Sequence, residues 1–168
     1  MTQLYTYDPS DVSISVGGIH TVSGYVDGTF INIVSNTKPV QTQRAMDGTI
    51  ERLYTKDEGY TVTVTLAQTS VSNNILSAIF NIDAVTRMGK FPLIIKDGQG
   101  QSVFFAADAW ISKPPDVAFG KDMQNREWQF ETAGAALAIA GNGQESDIPE
   151  AVLLGAASLP LLRQFGLV

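Results

Sequence analysis

From Asp11 onward the apolar residues Val12, Ile14 and Val16 alternate with Asp11, Ser13 and Ser15. A period of two puts one strand face in a core and the other outward. Gly17-Gly18 then closes the run with a turn. Two more β-rich runs flank Asp27-Gly28, a pair that tolerates positive φ at both central positions and so predicts a tight hairpin. In the second run Phe30, Asn32 and Val34 share one face and Ile31 and Ile33 the other, and polarity does not choose the inner one. Residues 60–67 are the clearest strand, because Val62, Val64 and Leu66 alternate with Thr61, Thr63 and Thr65 at high β-branched density. Between these runs, residues 37–59 are polar and charged yet carry Val40, Met46, Ile50, Leu53 and Tyr54. That mixture predicts a long hairpin folded about Asp47-Gly48, its polar side chains facing water or a partner.

The period changes at residue 70. Val71, Ile75, Ile79, Ile82 and Val85 recur every three or four positions, and Leu76, Phe80 and Met88 widen the stripe into that of one amphipathic helix. Ser70 or Ser72 is the expected N-cap and Gly89 the expected C-terminal cap, with Arg87 and Lys90 where cations favour the helix dipole. Residues 91–116 read as a strand, an Asp97-Gly98 turn, a strand, and a second short strand stopped by Pro114-Pro115. Trp128, Phe130 and Thr132 alternate with Glu127, Gln129 and Glu131 in a last half-buried strand, and the alanine-rich residues that follow continue it as an extended run or a tightly packed edge. Beyond Gly143, Pro149 suits a helix start and Pro160 interrupts any single long helix. The tail anchors Leu153, Leu154, Leu161, Leu162 and Phe165 need cover, either from their own subunit or from a neighbour.

Leu, Ile, Val and Phe supply 47 of the 168 residues, enough apolar surface to offset the entropy of ordering a compact fold. The expectation is one mainly β domain over residues 1–168, a small sandwich covered by one helix, with a hairpin arm at 37–59 and an apolar tail at 144–168. The absence of cysteine removes disulfides and thiolate chemistry, and a single histidine leaves no ordinary zinc set, so no cofactor or metal is expected. A formal charge of −6 argues against a broad phosphate-binding face. The first residues show no basic leader with an apolar core, and no run reaches membrane-span length; a soluble chain made in the cytosol, with no membrane embedding, is expected.

Candidate chemistry is sparse. Phosphate-loop, zinc, calcium-loop and nucleophile-elbow motifs are missing from the sequence. His20 has no specified nucleophile beside it and suits an edge or turn role. Asp8 with Asp11, and Glu127 with Glu131, are formal carboxylate pairs, but a chain-terminal turn and a solvent or subunit rim explain them more simply. Asp97-Gly98-Gln99-Gly100 lacks the lysine and helix of a phosphate cradle. Trp110, Trp128, Phe104, Phe105 and Phe130 have no basic field around them, which favours core or interface anchors over base stacking.

The ordered text YDPSDVSISVGGIHTVSGYVDGTFINI, then DGTIERLYTKDEGYTVTVTLAQTS, then NNILSAIF, resembles the bacteriophage structural proteins that form the inner tube of contractile tails. The resemblance covers roughly residues 5 to 135. It implies a β-sandwich or incomplete barrel with a flanking helix, assembling as homo-hexameric rings that stack into a helical tube for genome passage. Implied partners are tail sheath, baseplate and tail terminator proteins, with DNA as non-specific passing cargo. The implied location is the virion tail tube, assembled in the host cytoplasm. On this chain the resemblance marks Gln43, Arg44, Met46, Ile50, Glu51, Arg52, Leu53, Tyr54 and Lys56 as an inter-ring arm, and Ile75, Ile79 and Phe80 as part of the flanking helix near subunit boundaries.

Under that implication the acidic balance acquires a use, since an acidic lumen repels a moving phosphate backbone. Two alternatives stand beside it. One is a phage-derived injection or secretion tube that moves protein. The other is a monomeric β-sandwich binding module with Trp110 or Trp128 in a ligand groove. An enzyme is not expected, for want of a nucleophile–base pair.

Overall fold

The computed structural model describes residues 7–141. The regular elements are β1 (Val12–Val16), β2 (His20–Thr21), β3 (Ile31–Ser35), β4 (Val40–Arg44), β5 (Ile50–Tyr54), β6 (Tyr60–Leu66), α1 (Ser72–Thr86), β7 (Phe91–Asp97), β8 (Val103–Lys113), β9 (Arg126–Thr132) and β10 (Ala136–Ala138). The hydrogen-bonded order is β2-β1-β7-β8-β9-β6-β3, with β10 added on β8, while β4 and β5 form a separate two-stranded sheet. Among the described residues β2 and β3 end that order without pairing to each other, so the sheet is unclosed. The fold is mainly β, as the alternation in the sequence leads one to expect, and forms an incomplete barrel-like sheet with one flanking helix, as the resemblance implies.

The chain divides into two compact units. The described residues of the first are 7–22, 92–107 and 136–141. Here β1 pairs with β7 in the register Ile14↔Ile95, and β10 pairs with the first half of β8 through Leu137↔Phe104. Alternation delivers Ile14, Val16, Leu93 and Ile95 inward, where they are buried with Phe104, Ala106 and Ala138. The chain enters through a 3-10 turn, Pro9–Asp11, whose first residues are held by Asp8: its Oδ1 accepts from the Ser10 backbone N–H at 2.9 Å and from Ser10 Oγ at 2.6 Å. Asp8 and Asp11 are thus structural, Asp11 accepting from Gln99 Nε2 at 2.5 Å. The Asp97-Gly98 pair does not make a two-residue turn. Gly98 donates its N–H to the Asp11 carbonyl at 3.0 Å, and the loop closes later, with Asp97 N–H donating to the Ser102 carbonyl at 3.1 Å. A Cβ on Gly98 would lie 2.8 Å from the Asp11 oxygen, so this close approach requires glycine.

The second unit comprises Ser23–Phe91 and Asp108–Ala135. β6 lies between β3 and β9, with Ile31↔Val64 on one side and Val62↔Phe130 and Val64↔Trp128 on the other. Val62, Val64, Leu66, Ile111, Trp128 and Phe130 are buried, and Phe91 meets Phe130 edge to face at 6.1 Å. Residues expected as two strands before Pro114 form one, Val103–Lys113. The inward series there passes over two consecutive exposed positions, Ala107 and Asp108, and this slip in the period of two reads as a break in sequence.

Asp27-Gly28 is not a hairpin turn. Tyr25 bridges Leu66 and Ile31 pairs with Val64, so both flanks pair with β6 instead of with each other. The loop between them closes on Thr65: its carbonyl accepts from Val26 N–H at 3.4 Å, and its N–H donates to the Phe30 carbonyl at 2.9 Å. The Tyr25 and Phe30 rings, 4.7 Å apart, seal the base. A long partner strand, β-branched from Thr61 to Thr65, outcompetes a local turn preference.

The helix lies where its period places it, but two details differ. Its C-cap is Arg87 in the left-handed region at φ 56°, not Gly89; Arg87 N–H donates to the Asp83 carbonyl at 2.8 Å, and Gly89 N–H donates to Asp83 Oδ1 at 2.8 Å. At the N-terminus Val71 occupies the cap position without a side-chain bond, while Ser70 and Ser72 tie the first turn to Ser23. Ser23 N–H donates to Ser72 Oγ at 3.0 Å, and Ser70 Oγ donates to the Ser23 carbonyl at 2.5 Å.

Candidate assembly surfaces

The β4–β5 hairpin has the register Arg44↔Ile50 and Val40↔Tyr54. Its loop closes through Gly48 N–H to the Ala45 carbonyl at 3.0 Å and Ala45 N–H to the Thr49 carbonyl at 2.9 Å, with Gly48 at φ +88°. This is a three-residue loop with glycine at its left-handed position. The root is fixed too: Asn36 N–H donates to the Gly59 carbonyl at 3.0 Å, and Thr61 Oγ1 to Asn36 Oδ1 at 2.6 Å.

Every residue of β5 is exposed and only Val40 of β4 is half-buried, so the ribbon has no core of its own. A two-stranded ribbon of this kind is marginal in water unless something packs on it. Pairing places Val40, Tyr54, Thr42, Arg52, Arg44 and Ile50 on one face and Gln41, Leu53, Gln43 and Glu51 on the other. The apolar residues Ile50, Leu53 and Tyr54 are therefore split between the faces. On the first face Arg52 stacks 5.3 Å from the Tyr54 ring centroid and Arg52 Nη2 bonds the Tyr54 hydroxyl. Lys56 lies beyond β5 and is exposed. At the tip Met46 is completely exposed. Beside it, Thr49 N–H donates to Asp47 Oδ1 at 2.9 Å and holds the Asp47 carboxyl below the usual carboxylate range.

On α1 the buried residues are Ser72 and Leu76. Ile75, Ile79 and Phe80 are half-buried. The outer part of the apolar stripe is bare, Val71 being 67%, Ile82 58% and Val85 84% exposed. With Ile75 these form one line along the helix at spacings of four, seven and three residues. The apolar arc is wider than the surface it packs on, because its inner border is pinned by polar side chains. Asn73 Nδ2 donates to the Ala67 carbonyl at 3.0 Å, and Trp128 Nε1 donates to Asn73 Oδ1 at 2.9 Å.

Below that contact lies a cleft of about 510 Å³ walled by Ser77 and Phe80 of α1, Pro115 and Phe119 after β8, and Arg126 and Trp128 of β9. Arg126 is only 9% exposed, and its guanidinium carbon lies 5.7 Å from the Phe119 ring centroid. Among the described residues its Nη1 is buried without a hydrogen-bond partner, and the ion pair found is Lys113 with Asp116 at 3.3 Å. The sequence reading missed Arg126, although it stands two residues before Trp128 on the same inward face as Phe130 and Thr132.

Trp128, 2% exposed, works mainly as core, and Phe104 and Phe130 are buried. Among the described residues no group of three or more acidic or His side chains is placed to hold a metal ion, and no helix is long and apolar enough to cross a membrane. The tail anchors Leu153, Leu154, Leu161, Leu162 and Phe165 lie outside the described residues.

Residues 4–139 match the family described as "Bacteriophage PhiTE tail tube protein". "Structural protein ORF10" of Pseudomonas phage KPP10 is 29% identical over 148 residues, covering 84% of this chain and 86% of that protein. Among solved structures, the fold resembles a chain of the tube-terminating cap of the anti-feeding prophage, with a TM-score of 0.54, 12% identity, and 82% and 93% of the two chains covered. A chain of the native gene transfer agent virion gives a TM-score of 0.54 at 12% identity, covering 80% and 100%. A chain of the sheath–tube complex of an extracellular contractile injection system gives 0.51 at 14% identity, covering 82% and 93%.

Proposed function

Because the chain belongs to the bacteriophage PhiTE tail tube protein family, a family of structural tube proteins and not enzymes, we propose that it is the repeating wall subunit of a tube. Copies sit in hexameric rings, and the rings stack through the β4–β5 arm. The observation that carries this is the arm itself, a rigidly rooted ribbon with no buried face, which gains stability only against another surface. The line Val71, Ile75, Ile82 and Val85 on α1, bare except at the half-buried Ile75, serves as a second contact between subunits.

The tube carries DNA in a contractile phage tail, as the phage relative supports. A second reading, an injection tube of a phage-derived particle that carries protein, is supported by the fold likeness to the anti-feeding prophage cap and to the injection-system sheath–tube complex. Both readings give the same wall and the same neighbours, sheath and terminator. They differ in lumen content.

Electron microscopy of the purified full-length protein across a concentration and salt series tests the common part. Rings or tubes are expected at high concentration, and monomers under every condition would refute it. Nuclease-protected DNA recovered from native particles separates the first reading from the second. An assembled tube with a positive lumen would remove the role given to the chain's −6 charge in DNA passage.

A further inference from the structure

The cleft beside Arg126 is a second-order consequence of the strand registers. The hairpin leaves the sheet after Ser35, which pairs with Tyr60 at the start of β6. Arg126 pairs with Leu66, at the other end of the same strand. A strand of this length separates its ends by about 20 Å, at ~3.3 Å per residue. An arm at one end and a concave, cationic recess at the other is the geometry of a head-to-tail contact, which propagates from copy to copy instead of closing on a two-fold axis.

We propose that this cleft receives the hairpin tip of a second copy, the Asp47 carboxylate facing the Arg126 guanidinium and the Met46 side chain lying among Phe80, Phe119 and Trp128. The assignment rests on the tube reading and names the receptor of the arm. Three observations support it. A guanidinium nine-tenths buried with an unpartnered nitrogen is costly and calls for a carboxylate. Asp47 presents a carboxylate at the tip of the arm, its Oδ1 oriented by the Thr49 N–H at 2.9 Å. The neighbouring Met46 has no intramolecular cover, and the recess offers the aromatic edges and faces that thioethers favour.

The chain contains no cysteine, so a Met46→Cys/Phe119→Cys variant reports the contact directly. Mild oxidation of the assembled full-length variant should give a ladder of disulfide-linked oligomers on a denaturing gel, with each single variant remaining monomeric. In parallel, Arg126→Met replaces a buried charge by an apolar chain of similar reach. It should leave the subunit's Tm unchanged or raised and raise the concentration needed for assembly by about 30-fold or more. Asp47→Asn should raise that concentration also, and the double variant should be no worse than the worse single.

Absence of the ladder, or assembly of Arg126→Met at the wild-type concentration, overturns the proposal. Sensitivity to Arg126→Met without sensitivity to Asp47→Asn gives the cleft to another carboxylate, such as one from the chain's own tail, and overturns it as well. Deleting residues 41–56 keeps the two levels apart. Wild-type tubes from that deletion sink the arm reading itself, whereas tubes lost on deletion but intact in Arg126→Met sink only the cleft.

Discussion

Replacing Asn73 by alanine should destabilise the isolated subunit by about 2 kcal/mol. Asn73 links the first turn of α1 both to β9 and to the residue just past β6, accepting from Trp128 Nε1 at 2.9 Å and donating to the Ala67 carbonyl at 3.0 Å. Removing it strands the indole N–H of a residue that is 2% exposed, a loss of about 1–3 kcal/mol for an unsatisfied buried donor. The Ala67 carbonyl keeps a second donor, the Ser70 N–H at 3.0 Å, so its lost bond adds only about 0.5–1 kcal/mol. Alanine's better helix propensity returns roughly 0.5 kcal/mol.

The assay is urea unfolding at a concentration below assembly, followed by tryptophan fluorescence, because subunit association would otherwise inflate the apparent stability. A cycle with Trp128→Phe separates the pair term: phenylalanine removes the stranded donor, so Asn73→Ala should cost at least about 1 kcal/mol less in that background. A change within about 0.5 kcal/mol for Asn73→Ala, or full additivity with Trp128→Phe, would show that this bridge does not dock the helix.

Three further outcomes follow from the same geometry. Ile82→Asp with Val85→Asp should leave monomer stability within about 0.5 kcal/mol, as surface changes do, while sedimentation velocity shows ring formation lost; intact rings would remove the helix line from the interface. Gly59→Ala should cost about 1–3 kcal/mol through overpacking, because a Cβ there would meet Asn36 Nδ2 at 2.9 Å, Asp57 Oδ1 at 3.0 Å and the Thr132 carbonyl at 3.1 Å, and amide exchange should quicken first at the hairpin root. Asp47 is held below its ordinary value by the Thr49 N–H, so its tip contact is fully present above the ordinary carboxylate range and is lost as pH falls through the lowered folded value. An NMR acid titration should show the Thr49 amide moving in step with Asp47.

Most of the wall was legible because it obeys a period. β1, β6 and β9 alternate cleanly, and their inward residues Ile14, Val64 and Phe130 are those that alternation selects. The arm was legible from a run too polar for a core and too apolar for a linker. What failed depended on competition between distant segments. Asp27-Gly28 has the right local chemistry for a hairpin, but β6 offers its flanks a better partner.

The helix period located α1 but not its rotation, since Ser72, Asn73 and Asp83 turn polar positions inward and leave Val71, Ile82 and Val85 bare. Arg126 escaped notice because a charge at a strand's first position reads as its solvent margin, although the i, i+2 series with Trp128 already placed it inside. The hairpin's apolar residues were visible, whereas their split between two faces required the register.

β3 has a practical consequence for handling the protein. It pairs with β6 along one side, its outward-facing Val34 is 51% exposed, and among the described residues no strand pairs with its other side. Any extended peptide is a chemically adequate partner for such an edge. A newly made pool of chains therefore has a limited storage life: time and concentration favour irregular pairing along β3 unless ordered growth consumes the pool first. Dilute, freshly thawed protein should yield longer and straighter polymers than the same mass held concentrated overnight, and a soluble strand-shaped blocker of β3 would preserve the stock.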